Sequence, residues 1–129
     1  MLVDDDDTTN FVNKRLLNKM GVAKEIMIKK NGVEALEYLR AASQNTGVKF
    51  PDLIFLDLKM PVMDGFAFLD EYHAQNLAQY GSLIILMLTS SASFYDLERL
   101  KTYEHVKEHF SKALTEGDVR DIMQQYYKN

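Results

Sequence analysis

The sequence predicts an α/β protein with a doubly wound, parallel β-sheet. Three observations favour this class. Short apolar runs typical of strands alternate with stretches whose apolar residues recur at helical spacing, five of each in 129 residues. Such alternation is typical of βαβ units, whose right-handed crossovers place helices on both faces of one sheet. Two runs, LIFLDL and LIILML, are almost continuously apolar, as expected of strands covered on both faces.

The first third of the chain contains two predicted strands and two predicted helices. Met1–Val3 is apolar and ends in acids, which indicates the end of a strand. Thr8–Met20 has helical spacing, and Gly21 is a typical stop signal. Glu25–Lys29 is a short second strand, and Gly32–Ala42 is a second helix. The predicted inward faces are Phe11, Val12, Arg15, Leu16 and Met20 in the first helix, and Val33, Leu36 and Leu39 in the second.

The middle of the chain repeats this alternation with more strongly apolar strands. Leu53–Leu58 is the third predicted strand, and a helix follows from Gly65 or Phe66 to about Asn76. Leu83–Leu88 is the fourth strand. The fourth helix is predicted over Phe94–Tyr103.

A weaker fifth strand and a last helix complete the pattern, at Val106–Phe110 and Thr115–Tyr127. Among doubly wound folds, a five-stranded flavodoxin-like sheet with the order 2-1-3-4-5 fits this length. We expect residues 1–129 to form a single domain.

Composition excludes several classes of function. The net charge of −4 argues against direct nucleic-acid binding. The chain has no cysteine, so disulfides, thiolate metal sites and cysteine nucleophiles are absent. Its apolar runs are too short to span a bilayer, and no signal-peptide pattern is present. We therefore expect a cytoplasmic protein without membrane association.

Polar side chains follow four of the predicted strands at the point where each strand ends. Asp4–Asp7 follow the first strand and Asp57 ends the third. Thr89 follows the fourth strand, and Ser111 and Lys112 follow the fifth. Ligands of doubly wound sheets bind beyond the carboxyl ends of the strands, so these side chains should meet in one acidic pocket. Without these partner residues, four adjacent acids would be more typical of a solvated arm, and a single lysine would be more typical of the protein surface.

Adjacent carboxylates need compensation, and a hard divalent cation with oxygen ligands provides it. Mg²⁺ uses one or two carboxylates and readily binds a phosphate oxygen. Lys112 could pair with a phosphate as a point charge, and Asp57 could serve as a nucleophile. The pocket therefore favours a phosphoryl-like ligand. Asp6 or Asp7 more simply caps the helix that begins near Thr8.

Four motifs resemble the receiver domain of two-component response regulators, in the right order and spacing along essentially the whole chain. They are VDD near the start, LDLKMPVMDG at Leu56–Gly65, MLTSS at Met87–Ser91 and SK at Ser111–Lys112. The resemblance implies a CheY-like phosphoacceptor switch of a phosphorelay. Its phosphoryl donor would be a sensor histidine kinase or a histidine phosphotransfer protein, and it would act on an unknown downstream protein.

The resemblance also implies roles for matched residues around the metal. Asp57 would be the phosphoacceptor and, with Asp5, a direct ligand of Mg²⁺ or Mn²⁺. Asp4 would act on the metal through water, and the backbone carbonyl of Lys59 would be a further ligand. Self-phosphorylation from small donors and autodephosphorylation would be the only enzymatic activities, with Lys59 and Ser91 bordering the path of the attacking water.

The implied switch lies at the other side of the pocket. Thr89 would bond the phosphoryl oxygen, and Lys112 would pair with the carboxylate or phosphoryl group. His109 stands three residues before the lysine, where the family usually has Tyr or Phe. The readout would lie on the surface of the fourth helix, fifth strand and fifth helix, with no output domain after it. Its exposed candidates are Tyr95, Arg99, Tyr103, Lys107 and His109.

The sequence departs from the family's pattern in three places. In the family, the residue after the lysine is usually a proline, and the bond between the two is cis. This chain has Ala113 in place of that proline. A cis bond before a non-proline residue costs about 3–4 kcal/mol, so we predict a trans Lys112–Ala113 bond and a more mobile lysine. His109 could make the output face pH-sensitive. The first strand is short, since only Met1–Val3 precede the acids.

Two other classes of function compete with the phosphoacceptor switch. A Mg²⁺-dependent phosphohydrolase generally has a second Asp two residues after its nucleophile, and this chain has Lys59 there. A pseudo-receiver would bind partners without phosphorylation. The retained acids, Thr89 and Lys112 argue against it, whereas Ala113 leaves it open.

Overall fold

Five parallel strands form a single sheet with the spatial order β2-β1-β3-β4-β5 in the computed structural model, which describes residues 1–44, 47–90 and 92–127. The strands are β1 (Leu2–Val3), β2 (Ile28–Lys29), β3 (Leu53–Leu56), β4 (Ile84–Thr89) and β5 (Val106–Ser111). The helices are α1 (Asp7–Met20), α2 (Gly32–Ser43), α3 (Gly65–Ala74), α4 (Phe94–Leu100) and α5 (Glu116–Tyr126), with a 3₁₀ helix at Leu77–Tyr80. The predicted fold class and strand order are confirmed.

The alternating side chains of the strands build two apolar layers, one on each face of the sheet. Val3, Ile54 and Leu56 lie on one face and pack with α2 and α3. Phe55 and Leu86 lie on the other face and pack with α1 and α5. Since each central strand is buried on both faces, the sheet holds its carboxyl ends in fixed relative positions.

Each of the five α-helices begins after a polar side chain that accepts a hydrogen bond from the helix backbone. These caps are Asp6, Asn31, Asp64, Ser93 and Thr115. The Asp6 carboxylate accepts from the Thr8 N–H at 3.2 Å and from the Thr9 hydroxyl at 2.6 Å. This confirms that the second half of the acidic run starts the first helix, and it leaves Asp4 and Asp5 for another role.

Gly65 brings the start of α3 against the third strand. A Cβ atom on Gly65 would lie only 2.6 Å from the backbone oxygen of Asp57. The Gly65 N–H donates to the Leu58 carbonyl at 2.8 Å. The Asp64-Gly65 pair therefore acts as a cap and turn, as predicted, and it fixes the loop beyond Asp57.

The predicted inward face of α1 is wrong in part. Leu16 and Met20 pack against the core as predicted, but Arg15 is exposed. Phe11 and Val12 are 65% and 43% exposed, whereas Asn10, Asn13 and Leu17 are buried. The apolar spacing favoured the first set, but the two asparagines hydrogen-bond to buried backbone groups elsewhere in the fold. These bonds offset part of the cost of burying the two polar side chains, although Asn10 Oδ1 has no hydrogen-bond partner among the described residues.

Smaller differences concern the ends of elements. Leu53–Leu56 is shorter than predicted, so Asp57 lies just beyond the strand. The fourth helix ends at Leu100, three residues before the predicted end at Tyr103. The 3₁₀ helix was not predicted. In the second helix Leu36 and Leu39 are buried as predicted, but Val33 is only partly buried.

The amino end of the sheet contains a cavity of about 540 Å³ among the described residues. It lies between the start of β1, the segment before β2 and α5, with Met1, Ile26 and Met123 in its lining. The cavity is at the opposite end of the strands from Asp57. None of the helices in the described part of the chain has the length and apolar character that a membrane crossing requires.

Candidate functional site

Lys112 joins two buried aspartates at the carboxyl end of the sheet. Its Nζ lies 2.8 Å from Asp4 Oδ2 and 3.0 Å from Asp57 Oδ2. Both aspartates are only 4% exposed, and the Lys112 side chain is 13% exposed. The residues come from the ends of β1, β3 and β5, so the sheet brings together side chains that are distant along the chain.

The backbone ladder of the sheet positions the two aspartates side by side. The Asp57 N–H donates to the Val3 carbonyl at 3.0 Å, and the Asp4 N–H donates to the Lys29 carbonyl at 3.0 Å. The Asn10 amide then donates to the Asp4 carbonyl at 2.8 Å. With both backbone positions fixed, the carboxylates cannot separate to relieve their repulsion.

Burial raises the pKa of Asp57 above its ordinary value. The hydrogen bond from Lys112 opposes this rise, and the nearby charge of Asp4 adds to it. Burial alone would lower the pKa of Lys112, but its bonds to Asp4 and Asp57 outweigh burial, so the pKa is raised. The two carboxylates therefore favour the charged form of Lys112, whereas burial disfavours the ionised form of Asp57.

Asp5 completes a cluster suited to a cation. One carboxylate oxygen from each of Asp4, Asp5 and Asp57 lies within 4.8 Å of the others. Asp5 is exposed and the other two are buried, so the cluster opens to solvent on one side. With Lys112 as the neighbouring cation, the four ionised side chains carry a net charge of −2. Three hard oxygen donors with excess negative charge fit a hard divalent cation.

Thr89 lies at the end of β4, between the strands that carry Asp57 and Lys112. It is buried, and its carbonyl accepts a hydrogen bond from the Lys112 N–H at 3.3 Å. Lys59, two residues after Asp57, has an exposed side chain. Ser91, also singled out in the sequence, lies outside the described residues.

His109 is not brought into the acidic cluster. It is exposed on β5 and pairs in register with Met87 of β4. Neighbouring Glu108 accepts a hydrogen bond from Tyr126 of α5 at 3.0 Å. Since successive strand residues face opposite sides, His109 lies on the other face of the sheet from α5.

The prediction of a trans Lys112–Ala113 bond and a mobile lysine is wrong. The bond is cis, and Lys112 is held by two carboxylates. On the other side of the bond, the buried Leu114 N–H donates to Asn13 Oδ1 at 3.0 Å. The prediction considered the local cost of the peptide bond alone, whereas tertiary contacts fix the residues on both sides of it.

Asn10 and Asn13 are site-supporting residues that the sequence analysis missed. Both are buried on α1, where Asn10 bonds the backbone of Asp4 and Asn13 bonds the backbone of Leu114. One helix thus supports the loops that carry Asp4 and Lys112. Their spacing of three residues, which places them on one helical face, was the available signal.

The comparison with protein families decides the classification. A family profile described as the response regulator receiver domain matches residues 1–124. The chain belongs to the response regulator receiver family. The resemblance inferred from the four motifs is therefore confirmed for nearly the whole receiver domain.

Individual relatives agree with this classification. The crystal structure of a two-component response regulator from Cytophaga hutchinsonii superposes with a TM-score of 0.84 at 25% sequence identity. The match covers 96% of this chain and 92% of that chain. The probable methanogenesis regulatory protein FilR2 of Methanothrix harundinacea is 26% identical, over 97% of this chain and 78% of that protein. The sensor histidine kinase CheAY of Helicobacter pylori is 30% identical over 99 residues. These 99 residues make up 77% of this chain but only 11% of the kinase.

Proposed function

We propose that residues 1–129 act as a single phosphoacceptor switch in two-component signalling, with Asp57 as the phosphorylated residue. The observation that carries the proposal is the position of the Asp57 carboxylate. It is buried, lies within hydrogen-bonding distance of the Lys112 ammonium and belongs to an acidic cluster with Asp4 and Asp5. Membership of the receiver family supports the same function.

The chemistry follows from the environment of Asp57. One carboxylate oxygen attacks the phosphorus of the donor, so an oxygen–phosphorus bond forms while the bond to the donor's nitrogen or oxygen breaks. Burial raises the pKa of Asp57, which keeps its ionised oxygens basic and nucleophilic. Lys112 neutralises charge that develops on the phosphoryl oxygens, at no cost in reorganisation because it is already in place.

Asp5 and Asp57 would hold Mg²⁺ or Mn²⁺ directly, with the Lys59 carbonyl, and Asp4 would act through a water ligand. The bound cation would supply charge neutralisation at the phosphoryl oxygens. The carboxylate oxygens of Asp4, Asp5 and Asp57 are close enough to converge on one ion. Lys112 bonds one oxygen of each buried acid, and the other oxygen of Asp4 accepts the Asp6 N–H at 2.9 Å. The second oxygen of Asp57 and the exposed Asp5 therefore define the side on which the cation would bind.

Phosphorylation would change the binding of a partner through α4, β5 and α5. The added phosphoryl charge of about −1.5 to −2 would draw Thr89 towards it, and Thr89 is linked to the Lys112 backbone. His109 would report this movement on the exposed surface of β5. Phe94 and Tyr95 are 79% and 75% exposed at the start of α4, which offers a partner two large aromatic side chains.

We propose a sensor histidine kinase or a histidine phosphotransfer protein as the donor. Support comes from relatives whose names describe them as histidine kinases: CheAY, and hybrid signal transduction histidine kinase L of Dictyostelium discoideum at 28% identity. The downstream partner would be a protein, because the acidic chain, with a net charge of −4, disfavours direct binding to nucleic acid.

Incubation with acetyl phosphate and Mg²⁺, followed by intact mass measurement, tests this function. We expect the wild-type chain to gain one labile phosphoryl group and Asp57→Asn to gain none. Asp121→Asn, an exposed acid on α5, is the matched control and should behave as the wild type. Omitting Mg²⁺ by adding EDTA should slow the gain.

Each competing function gives a different result in this experiment. Release of phosphate over many turnovers without a stable adduct would identify a phosphohydrolase and contradict the proposal. An unmodified wild-type chain would identify a pseudo-receiver and contradict it equally. Equal modification of Asp57→Asn and the wild type would place the phosphoryl group elsewhere.

A further inference from the structure

A second cluster of possible metal ligands lies at the other end of β5. His73 is in the last turn of α3, and Glu104 and His105 are in the connection from α4 to β5. One ligand atom from each of the three lies within 4.8 Å of the others. β5 separates this cluster from Lys112, and at about 3.3 Å per residue its six residues hold the two clusters roughly 20 Å apart.

The core of the protein positions His105. Its ring packs edge-on against Tyr72, with centroids 5.3 Å apart and an interplanar angle of 83°. Tyr72 is 1% exposed and stacks on Phe68, so this wall of the cluster is rigid. His105 therefore presents its ring from a fixed position beside the His73 ring, whose centroid lies 6.3 Å away.

The other two side chains can adjust to a ligand. His73 is exposed, and the Glu104 side chain is 80% exposed. Glu104 Oε1 already lies 3.8 Å from His105 Nε2. In a tetrahedral site with bonds of about 2.0–2.2 Å, neighbouring ligand atoms are roughly 3.4 Å apart. Rotation of the exposed side chains that moves their ligand atoms by about one ångström would bring all three atoms to that spacing.

We propose that His73, Glu104 and His105 form a binding site for Zn²⁺. Two imidazole nitrogens and one carboxylate oxygen are a donor set that suits Zn²⁺ and not Mg²⁺, which prefers oxygen ligands alone. The three residues leave a fourth coordination position open to water or to a side chain of a partner. A bound ion would link α3 to the start of β5, and this site is independent of the phosphoacceptor function proposed above.

Zinc titration in competition with a chromophoric zinc indicator, at saturating Mg²⁺, tests the proposal. We expect one Zn²⁺ per wild-type chain. His73→Gln and His105→Gln should each weaken the affinity by about tenfold or more, since even outer residues of metal sites contribute tenfold to a hundredfold. His109→Gln removes an exposed histidine outside the cluster and should leave the affinity unchanged. Asp57→Asn should also leave it unchanged, because the acidic cluster is a separate site.

The assignment of ligands has its own readout. The imidazole NMR signals of His73 and His105 should shift on addition of Zn²⁺, while those of His109 should not. Circular dichroism of each variant verifies that the fold is retained. Absence of zinc binding by the wild type would overturn the proposal, as would equal affinities in the wild type and both cluster variants. A loss as large in His109→Gln or Asp57→Asn would also overturn it, because it would place the ion elsewhere.

Discussion

Lys112 is the residue on which the electrostatics of the acidic site depends. Its ammonium lies within 3.0 Å of two carboxylates that are each 4% exposed. Two buried like charges at close range are costly unless a cation lies between them. Lys112 supplies that cation, so the two buried carboxylates are held side by side without a divalent ion.

Replacement of Lys112 by methionine should destabilise the protein. Asp4 and Asp57 would remain buried without a cation, which typically costs about 3–5 kcal/mol when one partner of a buried pair is removed. Urea unfolding in EDTA measures the loss, and Mg²⁺ should restore part of it. Lys107→Met, at an exposed position of the same strand, is the matched control. Equal stability of Lys112→Met and the wild type would show that the ion pairs contribute nothing.

Asp57→Asn should stabilise the metal-free protein by on the order of 1 kcal/mol. Burial raises the pKa of Asp57 in the folded state, so the folded protein binds this proton more tightly than the unfolded chain does. Stability therefore falls as pH rises from the ordinary carboxyl pKa through the raised one, and the full cost is present at neutral pH. Asn removes the charge while Lys112 keeps its bond to Asp4.

Urea unfolding in EDTA at neutral pH and at about pH 4 tests this expectation. The gain in Asp57→Asn should be present at neutral pH and should shrink at the lower pH. Asp121→Asn, which is exposed, should show neither effect. A variant less stable than the wild type at neutral pH would mean that the bond from Lys112 outweighs the cost of burial.

At the scale of elements, α1 supports both loops of the site. Asn10 bonds the backbone beside β1, and Asn13 bonds the backbone that follows Lys112. The Asn13 contact joins residues 101 positions apart in the chain, and the Asn10 contact joins residues six positions apart. The helix therefore supports the acidic site through its buried polar face.

Asn13→Ala should cost about 1–3 kcal/mol, because the buried Leu114 N–H would lose its acceptor. Amide hydrogen exchange at Leu114 should accelerate by a corresponding factor. Asn18→Ala, at an exposed position of the same helix, should change the free energy of unfolding, and the free energy of opening at Leu114 derived from exchange, by no more than about 0.5 kcal/mol. Unchanged exchange at Leu114 in Asn13→Ala would contradict the role assigned to this bond.

The elements also mark how far the sequence predicts the structure. Parallel strands end at one edge of the sheet, so Asp4, Asp57, Thr89 and Lys112 could be assigned to one pocket from strand polarity alone. The inward face of α1 could not, because Asn13 is buried against Leu114, a partner distant in sequence. The same reason applies to the cis bond after Lys112, whose flanking residues are held by tertiary contacts.

The cluster of His73, Glu104 and His105 shows the same limit. Its members belong to α3 and to the connection before β5, and no local pattern pairs them. Only the packing of α3 against the connection before β5 brings the rings together, through the contact of His105 with Tyr72. Sites at strand ends are thus predictable from topology, and sites between a helix end and a loop require the packed structure.

At the scale of the whole molecule, an acidic chain gathers three carboxylates and one ammonium at one end of the sheet. The net charge is −4, and the cluster of Asp4, Asp5, Asp57 and Lys112 contributes −2 when ionised. A cation that binds only the folded state stabilises it in proportion to the logarithm of its concentration. Metal binding and folding should therefore be coupled.

Mg²⁺ should raise the thermal unfolding midpoint of the wild type in a concentration-dependent manner. At a hundred times the dissociation constant the gain is about 2.7 kcal/mol. Asp5→Asn and Asp57→Asn should lose most of this shift, whereas His105→Gln should retain it, since His105 lies in the other cluster. A shift that persists undiminished in Asp57→Asn would place the Mg²⁺ site elsewhere.

The central claim is that the phosphoryl group resides on Asp57. Borohydride reduction of the protein treated with acetyl phosphate and Mg²⁺ converts an acyl phosphate to an alcohol, and peptide mass mapping then locates the converted residue. We expect conversion of Asp57 alone, dependent on Mg²⁺. Conversion of Asp4 or Asp5 instead, or of no aspartate in a chain that has gained a phosphoryl group, would contradict it.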